Sequence, residues 1–327
     1  MDVAQAIKSY GDKIDACLEA LIPRDQHDFL SRQVWHHMDT GGKRIRPALC
    51  LLTCEALGGD VEHALPFAAA VELLHNMLLL HDDIEDGDEI RRDRPTVWKR
   101  FGVPNAVNAG DYILARALAA VMQTPVDHER QVRLVDCFVD AYERTIQGQA
   151  LDINSRANAA WSVEDYLRMV VLKTGRYLAL GMVGGAIIAS ADQAVVDAIY
   201  GMGETLGPAF QIRDDVIDLT EGKGRGGALG SDIKEGKPSI LYAYTLSQTQ
   251  PTDRVRLMSI MAQPREQTTD ADVAEVIALY DKHDALAFAQ RKADSLIAQA
   301  YETIDALPLS SKDLFRAIAD FIAKRRT

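Results

Sequence analysis

The sequence predicts an all-α fold, and three observations carry this prediction. Apolar residues recur at helical spacing, as in the series Val132, Val135 and Val139. No proline occurs between Pro125 and Pro208, so no proline interrupts a helix over that stretch. Alternating apolar and polar runs closed by hairpin-turn residues are missing, and aromatic residues make up only 6% of the chain.

Glycine and proline mark the ends of the predicted helices. The breaks lie at Gly41-Gly42, Gly58 to Asp60, Arg94-Pro95, Pro104, Asn158, residues 222–230 and Pro251. Between them the apolar period continues for roughly 12 to 25 residues, which is typical of globular helices. No linker, repeat or low-complexity tract divides the chain, so residues 1–327 are expected to form one domain. The polar, glycine-rich residues 221–236 are expected to form a functional loop.

The charge balance restricts the possible partners. The 327 residues include 48 acidic and 36 basic side chains, which gives a net charge of -12. A negative field repels nucleic acid and anionic membranes, so an anionic substrate would need metal ions or a local basic cluster.

The four cysteines have no histidine cluster beside them and are expected to be free thiols. With no signal peptide or bilayer-spanning apolar run visible, we expect a soluble cytoplasmic protein.

An acidic motif, Asp-Asp-Ile-Glu-Asp at residues 82–86, ends the long apolar helix that begins near Leu65. Asp82 and Asp86 are one helical turn apart, so they share a face and repel each other unless a cation lies between them. A solvated acidic helix end is the alternative, but acidic side chains are unfavourable at a helix C-terminus. Carboxylate oxygens select hard ions, so the pattern favours Mg²⁺ held together with substrate phosphates.

The same pattern recurs at residues 214–218, where Asp214 and Asp218 are again one turn apart after an apolar approach. One motif of this length can arise by chance, but two in one all-helical chain are much harder to dismiss. In helical bundles such sites are built from side chains on facing helices. Two facing carboxylate pairs predict a site for several metal ions and a highly anionic ligand, for which a diphosphate is the obvious candidate.

Basic residues stand beside the glycine turns and the acidic motif, where phosphate would bind. They are Lys43 and Arg46 after Gly41-Gly42, Arg91 and Arg92 after the first acidic motif, and Lys173 and Lys237 further on. Taken alone, Lys237 is more typical of an ordinary surface charge. His75 lies two helical turns before Asp82 on the same face, and both a ligand contact and a buried core role are open for it.

The order of these motifs resembles the trans-isoprenyl diphosphate synthases of the polyprenyl synthetase family. The resemblance runs from about Gly41 to Ser239 and includes Gly-Gly-Lys-Arg-Ile-Arg-Pro, both Asp-Asp-x-x-Asp motifs, Arg-Arg, Lys-Thr, Gln211 and Gly236-Lys237. It implies an all-helical fold with a central cavity between the two aspartate helices, a homodimer, and head-to-tail (1′-4) condensation. It also implies three Mg²⁺ ions, with isopentenyl diphosphate and an allylic diphosphate (dimethylallyl, geranyl or farnesyl) as substrates.

The resemblance assigns site residues by their positions in the motifs. The metal set corresponds to Asp82, Asp86, Asp214 and Asp218, with Asp83 and Asp215 in support. The isopentenyl diphosphate site corresponds to Lys43, Arg46, His75 and Arg92. The allylic diphosphate site corresponds to Arg91, Lys173, Thr174, Gln211 and Lys237, of which the last four are expected to act in catalysis. Gln149 and Asp152 belong to a weaker family motif.

Two positions depart from the family pattern. Asp93 stands where the Arg-Arg-Gly-x-Pro pattern has glycine, and this is expected to alter the flap after the first motif. Ala228 stands where many members have a lysine, four residues before Asp232, and Lys223 or Arg225 is the candidate replacement. Neither departure removes a metal ligand, so activity is expected.

Product length is expected to depend on Met77 and Leu78, one turn before Asp82. Both are medium-sized, which favours a short-chain product of twenty carbons first and fifteen second. A buried core role for the two residues is the alternative.

The alternative functions are a medium- or long-chain polyprenyl synthase, a terpene cyclase and a non-catalytic regulatory subunit. A cyclase needs no second diphosphate site, and a regulatory subunit is expected to lose one aspartate motif.

Overall fold

The computed structural model describes residues 3–25, 27–156, 160–220, 229–307, 309 and 312–323, and over these the chain is almost entirely helical. The predicted all-α class is therefore confirmed. Up to Ser155 the elements are α1 Val3–Leu21, α2 Phe29–Met38, α3 Ile45–Ala56, α4 Val61–Glu85, β1 Ile90–Arg91, β2 Arg94–Pro95, α5 Val97–Phe101, α6 Val103–Met122 and α7 His128–Ser155. They continue with α8 Val163–Val170, a π-helical segment Val171–Gly175, α9 Arg176–Ile188, α10 Gln193–Thr220, α11 Ser231–Lys234, α12 Ile240–Gln248, α13 Pro251–Met261, a 3₁₀ turn Arg265–Gln267, α14 Asp270–Lys282, α15 Ala285–Ala306 and α16 Asp313–Ala323.

Most predicted breaks fall where helices end. Gly41-Gly42 and Gly58 to Asp60 lie between helices, and Pro251 is the first residue of α13. The predicted break at Pro104 lies two residues late, because the turn is made by Gly102 with φ +86° and Pro104 already belongs to the first turn of α6. Asn158 and residues 222–228 lie outside the described residues.

The chain divides into two compact units. The first comprises Met1–Tyr142 and Ala179–Ile199, and the second comprises Glu143–Leu178 and Tyr200–Thr327. The first acidic motif lies in the first unit and the second motif lies in the second. The expected single domain over residues 1–327 stays a prediction.

α4 is the core helix of the first unit. Residues 67–74 in the middle of this 25-residue helix are all buried, which agrees with the apolar character of its sequence. It packs against α3 and α6. The approach of α6 is close because Gly110 has no side chain: a Cβ at this position would lie 2.7 Å from Cδ2 of His81. This packing holds the end of α4, where the first acidic motif lies.

A small hairpin follows the first acidic motif, although the sequence predicted no strands. β1 and β2 pair antiparallel, with Arg91 opposite Arg94, and the turn residues Arg92 and Asp93 have φ of 49° and 63°. Two left-handed residues in a two-residue turn match the right-handed twist of a hairpin. Each strand has only two residues, which is too short for an alternating pattern to be visible in the sequence.

The second unit is built around one apolar cluster. Its largest buried side chains include Trp161, Tyr166, Tyr242 and Tyr280, which come from the residues just before α8, α8 itself, α12 and α14. α8 begins with a reciprocal capping box in which Ser162 and Asp165 bond each other's backbone N–H. The helix then widens into the π-helical segment Val171–Gly175, a feature found frequently at functional sites.

Two helical stretches are long and apolar enough to cross a membrane by length and composition alone. They are Val61–Glu85 and Val163–Ile188, and 67% and 78% of their most apolar windows are buried within the protein. Burial of this extent is typical of core helices.

Candidate functional site

The first acidic motif places its aspartates in two different environments. Asp82 lies in the last turn of α4 and Asp86 caps the helix, with the Asp86 N–H donating to the Asp82 carbonyl at 2.8 Å, and both side chains are half-buried. Asp83 is 1% exposed and accepts a hydrogen bond from Nε of Arg91 at 2.7 Å. The predicted supporting residue Asp83 is therefore a buried counter-charge for Arg91.

The hairpin that carries Arg92 is held by side-chain hydrogen bonds to the backbone. The Thr96 hydroxyl and the Trp98 indole N–H each donate to the Asp88 carbonyl at 2.8 Å, which ties the hairpin back to the chain after α4. Asp93 adopts the left-handed conformation for which glycine is the usual residue, and aspartate is one of the few other residues that adopt it. The departure from the family pattern at Asp93 therefore leaves the turn closed.

Arg44 connects the glycine turn to α4. It stands at the N-terminus of α3 with φ 49°, and its Nη1 contacts Oε1 of Glu72 at 2.8 Å. The two side chains are only 11% and 4% exposed. Asn76 Nδ2 also donates to Oε1 of Glu72 at 3.2 Å. Arg44 therefore points inward between Lys43, which is exposed, and Arg46, which is half-buried.

His75 lies among the cations that were predicted to bind isopentenyl diphosphate. Burial lowers the pKa of His75 well below its ordinary value, and the nearby charges of Arg46, Arg92, His37 and Arg91 lower it further. Burial, then Arg91 and Arg92, lower the pKa of His37 to about 3. The structure thus brings His75, Arg46 and Arg92 together, and the glycine turn joins them because a Cβ at Gly42 would lie 3.4 Å from Nη1 of Arg92.

In the second unit, the π-helical segment sets the position of Lys173. Lys173 Nζ contacts Oδ2 of Asp152, which is 7% exposed, at 2.6 Å. Gly148, one turn before Asp152 on α7, touches the backbone of the segment, since a Cβ at Gly148 would lie 2.6 Å from Cα of Lys173. The predicted residues Lys173 and Asp152 are therefore an ion pair, and Thr174 beside them is buried.

In the second acidic motif the first two aspartates repeat the burial pattern of the first motif, and the third aspartate differs because it is buried. Asp214 is half-buried, whereas Asp215 and Asp218 are 4% and 1% exposed. Asp215 accepts hydrogen bonds from the Tyr166 hydroxyl at 2.8 Å and from Gln211 Nε2 at 3.1 Å. Asp218 accepts from the Ser231 hydroxyl and from the Asp232 N–H. The assignment of Asp218 to the metal set stays a prediction, and its carboxylate has protein donors on both oxygens.

Lys237 and Lys173 each have a carboxylate partner close to Tyr166. Lys237 Nζ lies 2.6 Å from Oε2 of Glu235 and 3.6 Å from Oδ1 of Asp232. The pKa of Tyr166 is raised well above its ordinary value, first by burial and then by Asp215, Asp232 and Asp152. The tyrosine therefore stays protonated among three carboxylates. The candidate replacement residues Lys223 and Arg225, with Ala228, lie outside the described residues.

Comparison with known proteins identifies the family. The family model described as polyprenyl synthetase matches residues 27–280, which is more than half of the chain. The chain belongs to the polyprenyl synthetase family. The predicted family is therefore confirmed.

Relatives within the polyprenyl synthetase family cover nearly the whole chain. A short chain isoprenyl diphosphate synthase of Methanothermobacter thermautotrophicus is 34% identical over 99% of both chains. A geranylgeranyl diphosphate synthase of Saccharolobus solfataricus is 33% identical over 91% of this chain and 90% of its own. The crystal structure of a geranylgeranyl pyrophosphate synthetase from Pyrococcus horikoshii Ot3 matches with a TM-score of 0.90, 33% identity and coverage of 99% and 98%. These matches confirm the predicted class of enzyme, a short-chain prenyltransferase.

Members of this family are generally Mg²⁺-dependent, and the donor set of the acidic motifs fits this ion. Asp82, Asp86 and Asp214 offer carboxylate oxygens, which are the ligands that Mg²⁺ prefers. Among the described residues no group of three or more His, Cys, Asp or Glu side chains is arranged to enclose an ion.

Sequence reasoning missed Glu72, Arg44, His37 and Tyr166. For Glu72 a signal exists, because a charged residue in the apolar middle of a buried helix requires a buried partner. The partner itself, Arg44, lies 28 positions earlier in the chain, and the sequence does not reveal the contact. Tyr166 stands at an ordinary core position of α8, so no local pattern distinguishes it from an apolar packing residue.

Proposed function

We propose that the chain condenses isopentenyl diphosphate with an allylic diphosphate, head to tail (1′-4), to form a trans-prenyl diphosphate of twenty carbons, with fifteen as the second choice. The observation that best supports this is that each unit contains both an acidic motif and its own basic residues. In the first unit the cations gather around His75. In the second, Lys173 and Lys237 lie beside Asp152 and Asp232, which act electrostatically on Tyr166, a hydrogen-bond donor to the second acidic motif. Two separate basic clusters favour two diphosphate substrates.

The proposed roles follow from the chemistry of the side chains. Asp82, Asp86 and Asp214 would hold Mg²⁺, three ions in all, and bound Mg²⁺ supplies Lewis-acid assistance to the departing diphosphate. Lys173 and Lys237 neutralise charge on the allylic diphosphate, and Gln211 and Thr174 orient it.

The cluster around His75 binds isopentenyl diphosphate, and the acidic motifs bind the allylic diphosphate. Arg46, Arg92 and Lys43 supply charge-assisted hydrogen bonds to isopentenyl diphosphate. His75 is held neutral by its depressed pKa, so it serves as a hydrogen-bonding group. The described motif residues include no convincing base for the final proton, and the departing diphosphate is the proposed acceptor.

We also propose that the protein works as a cytoplasmic homodimer. Exposed apolar side chains recur one helical turn apart on α6 and are also present on α7, and exposed apolar surface of this kind is typical of protein interfaces. They are Val103, Val107, Leu118 and Met122 on α6 and Val132 and Val139 on α7. Light scattering on the purified protein measures this directly, and a mass of one chain would contradict it.

Incorporation of radiolabelled isopentenyl diphosphate tests the function. The wild-type protein is expected to transfer label to allylic primers in Mg²⁺, to lose this activity in EDTA, and to form a product that migrates with a twenty-carbon standard. A terpene cyclase would consume the allylic diphosphate without incorporating isopentenyl units, and a regulatory subunit would be inactive alone. A product beyond twenty-five carbons would instead identify a medium- or long-chain synthase.

Substitutions in the two basic clusters are expected to separate the two substrates. Lys43→Ala and Arg46→Ala should raise the KM for isopentenyl diphosphate about tenfold or more, since each loses a charge-assisted contact. Lys173→Ala should act mainly on the KM for the allylic diphosphate. Steady-state kinetics with each substrate varied in turn measure this, and equal losses toward both substrates in all three variants would refute the division.

Met77 and Leu78 are expected to limit the length of the product. Met77 is fully buried and Leu78 is half-buried in α4. Replacing both with alanine leaves an apolar cavity that further prenyl units can fill, so the products should become longer. Mass analysis of dephosphorylated products measures the shift, with Leu18→Ala in α1 as a control for lost core volume alone. Products of unchanged length in the double variant would show that other residues limit chain growth.

A further inference from the structure

Tyr166 on α8 forms a hydrogen bond with Asp215 of the second acidic motif. Its hydroxyl donates to Oδ2 of Asp215 at 2.8 Å, and the Ile240 N–H lies 3.4 Å from the same oxygen. Gln211 Nε2 donates to the other oxygen, Oδ1, at 3.1 Å. Asp215 therefore receives donors from α8, α10 and α12, and both of its oxygens are engaged.

The Asp215 carboxylate is buried and charged, so its position depends strongly on each hydrogen-bond donor. Tyr166 and Asp215 are 1% and 4% exposed. A buried carboxylate that loses a donor retains the desolvation penalty without the compensating bond, and its side chain turns toward other donors. On α10 the side chains that such a movement disturbs are the neighbours of Asp215: Gln211, one turn earlier, and Asp214, the preceding residue.

Tyr166 also lies close to the partners of the two lysines. Asp152 and Asp232 both act electrostatically on the tyrosine, as Asp215 does. Asp152 pairs with Lys173 and Asp232 lies 3.6 Å from Lys237. One neutral hydroxyl thus stands within a group of carboxylates that hold the predicted allylic-site residues.

We propose that Tyr166 is a positioning residue for the allylic half of the reaction. Its hydroxyl holds Asp215 inward, and Asp215 in turn keeps Gln211 and Asp214 in the geometry that binds a diphosphate with Mg²⁺. The inference rests on the function proposed above and adds a residue that lies outside every motif. Tyr166 acts through Asp215, so its removal affects one substrate more than the other.

The test compares Tyr166→Phe with a matched control, Tyr242→Phe. Tyr242 is also 1% exposed and belongs to the same apolar cluster, and its hydroxyl has no hydrogen-bond partner among the described residues. In Tyr166→Phe the KM for the allylic diphosphate should rise about tenfold, while the KM for isopentenyl diphosphate should stay within about twofold. Tyr242→Phe should match the wild type in both constants.

A binding measurement provides a readout that does not depend on turnover. Isothermal titration calorimetry with inorganic diphosphate in Mg²⁺ should show a Kd about tenfold higher for Tyr166→Phe than for the wild type and Tyr242→Phe. A lower Tm with unchanged KM and Kd values would show that the hydroxyl only stabilises the fold, and this would overturn the proposal. An equal rise in both KM values would overturn it as well.

A second variant keeps the inference testable if Tyr166→Phe folds poorly. Asp215→Asn removes the negative charge of the group that accepts the Tyr166 hydrogen bond, and it should raise the same KM and Kd. The two substitutions together should have little more effect than either alone, because they remove one shared interaction. Fully additive effects would contradict the proposal. If the wild type incorporates no isopentenyl units, the proposed function fails, while the diphosphate titration still compares Tyr166→Phe with Tyr242→Phe.

Discussion

Replacing Asp82 or Asp214 with alanine is expected to lower turnover by about three orders of magnitude or more while the protein remains folded. In the proposed function each residue would supply carboxylate oxygens to Mg²⁺, which would stabilise charge on the leaving diphosphate. Both side chains are half-buried, so their loss leaves no large cavity in the core. Turnover at saturating Mg²⁺ and substrate, with circular dichroism and Tm, measures the two effects separately.

Controls for this prediction remove the same charge elsewhere in each unit. Asp12 on α1 and Asp281 on α14 are exposed and lie outside the motifs, so Asp12→Ala and Asp281→Ala should keep wild-type turnover. A variant of Asp82 or Asp214 that kept near wild-type turnover would show that this residue does not hold an essential metal.

In both acidic motifs the first two aspartates differ in burial, which explains why only some of the aspartates are expected to bind metal. The second aspartate of each motif, Asp83 or Asp215, is buried and bonded to a protein donor, Arg91 or Tyr166. The first aspartate is half-buried in both motifs. Successive residues on a helix differ by about 100°, so one of two neighbouring carboxylates turns inward when the other faces the surface. The inward carboxylate anchors the motif.

Local patterns in the sequence predicted much of the fold because helices are stabilised by near neighbours. The apolar period and the absence of proline between Pro125 and Pro208 predicted helical structure where α7, α8, α9 and the first part of α10 lie, although α10 continues past Pro208. The spacing of Asp82 and Asp86 correctly predicted a single helical turn between them. The hairpin at residues 90–95 was missed because two-residue strands have no period. Its turn is formed by Arg92 and Asp93, where no glycine indicated a left-handed conformation.

The contacts that hold the candidate residues in place were not predictable in the same way. Arg44 and Glu72 are 28 positions apart, and Tyr166 and Asp215 are 49 apart. Neither pair follows a spacing rule, because the distance between partners is set by how whole helices pack. The sequence shows which residues carry charge, but only the packing shows which charges are buried together.

Gly148→Ala is expected to disable the allylic site, because no space exists for even one methyl group. A Cβ at this position would lie 2.6 Å from Cα and 2.7 Å from Cβ of Lys173. These atoms belong to the backbone and the root of the side chain, so no flexible end can move aside. α7 and the π-helical segment must separate, and Asp152, one turn after Gly148, moves relative to its partner Lys173.

Gly148→Ala is expected to lower both catalytic efficiency and stability, and the two losses can be measured independently. A displacement of about 1 Å in a substrate-binding group can reduce the rate about 100-fold, so kcat/KM for the allylic diphosphate should fall by roughly that factor. Overpacking should lower the free energy of unfolding by about 1–3 kcal/mol.

Gly201→Ala on α10 is the matched control, because the atom nearest to the new Cβ, Cγ2 of Thr303, would lie at an ordinary 3.8 Å. That variant should gain about 0.5–1 kcal/mol from its better helix propensity and keep full activity. If Gly148→Ala retained wild-type kcat/KM, the close packing of α7 would not be what positions Lys173.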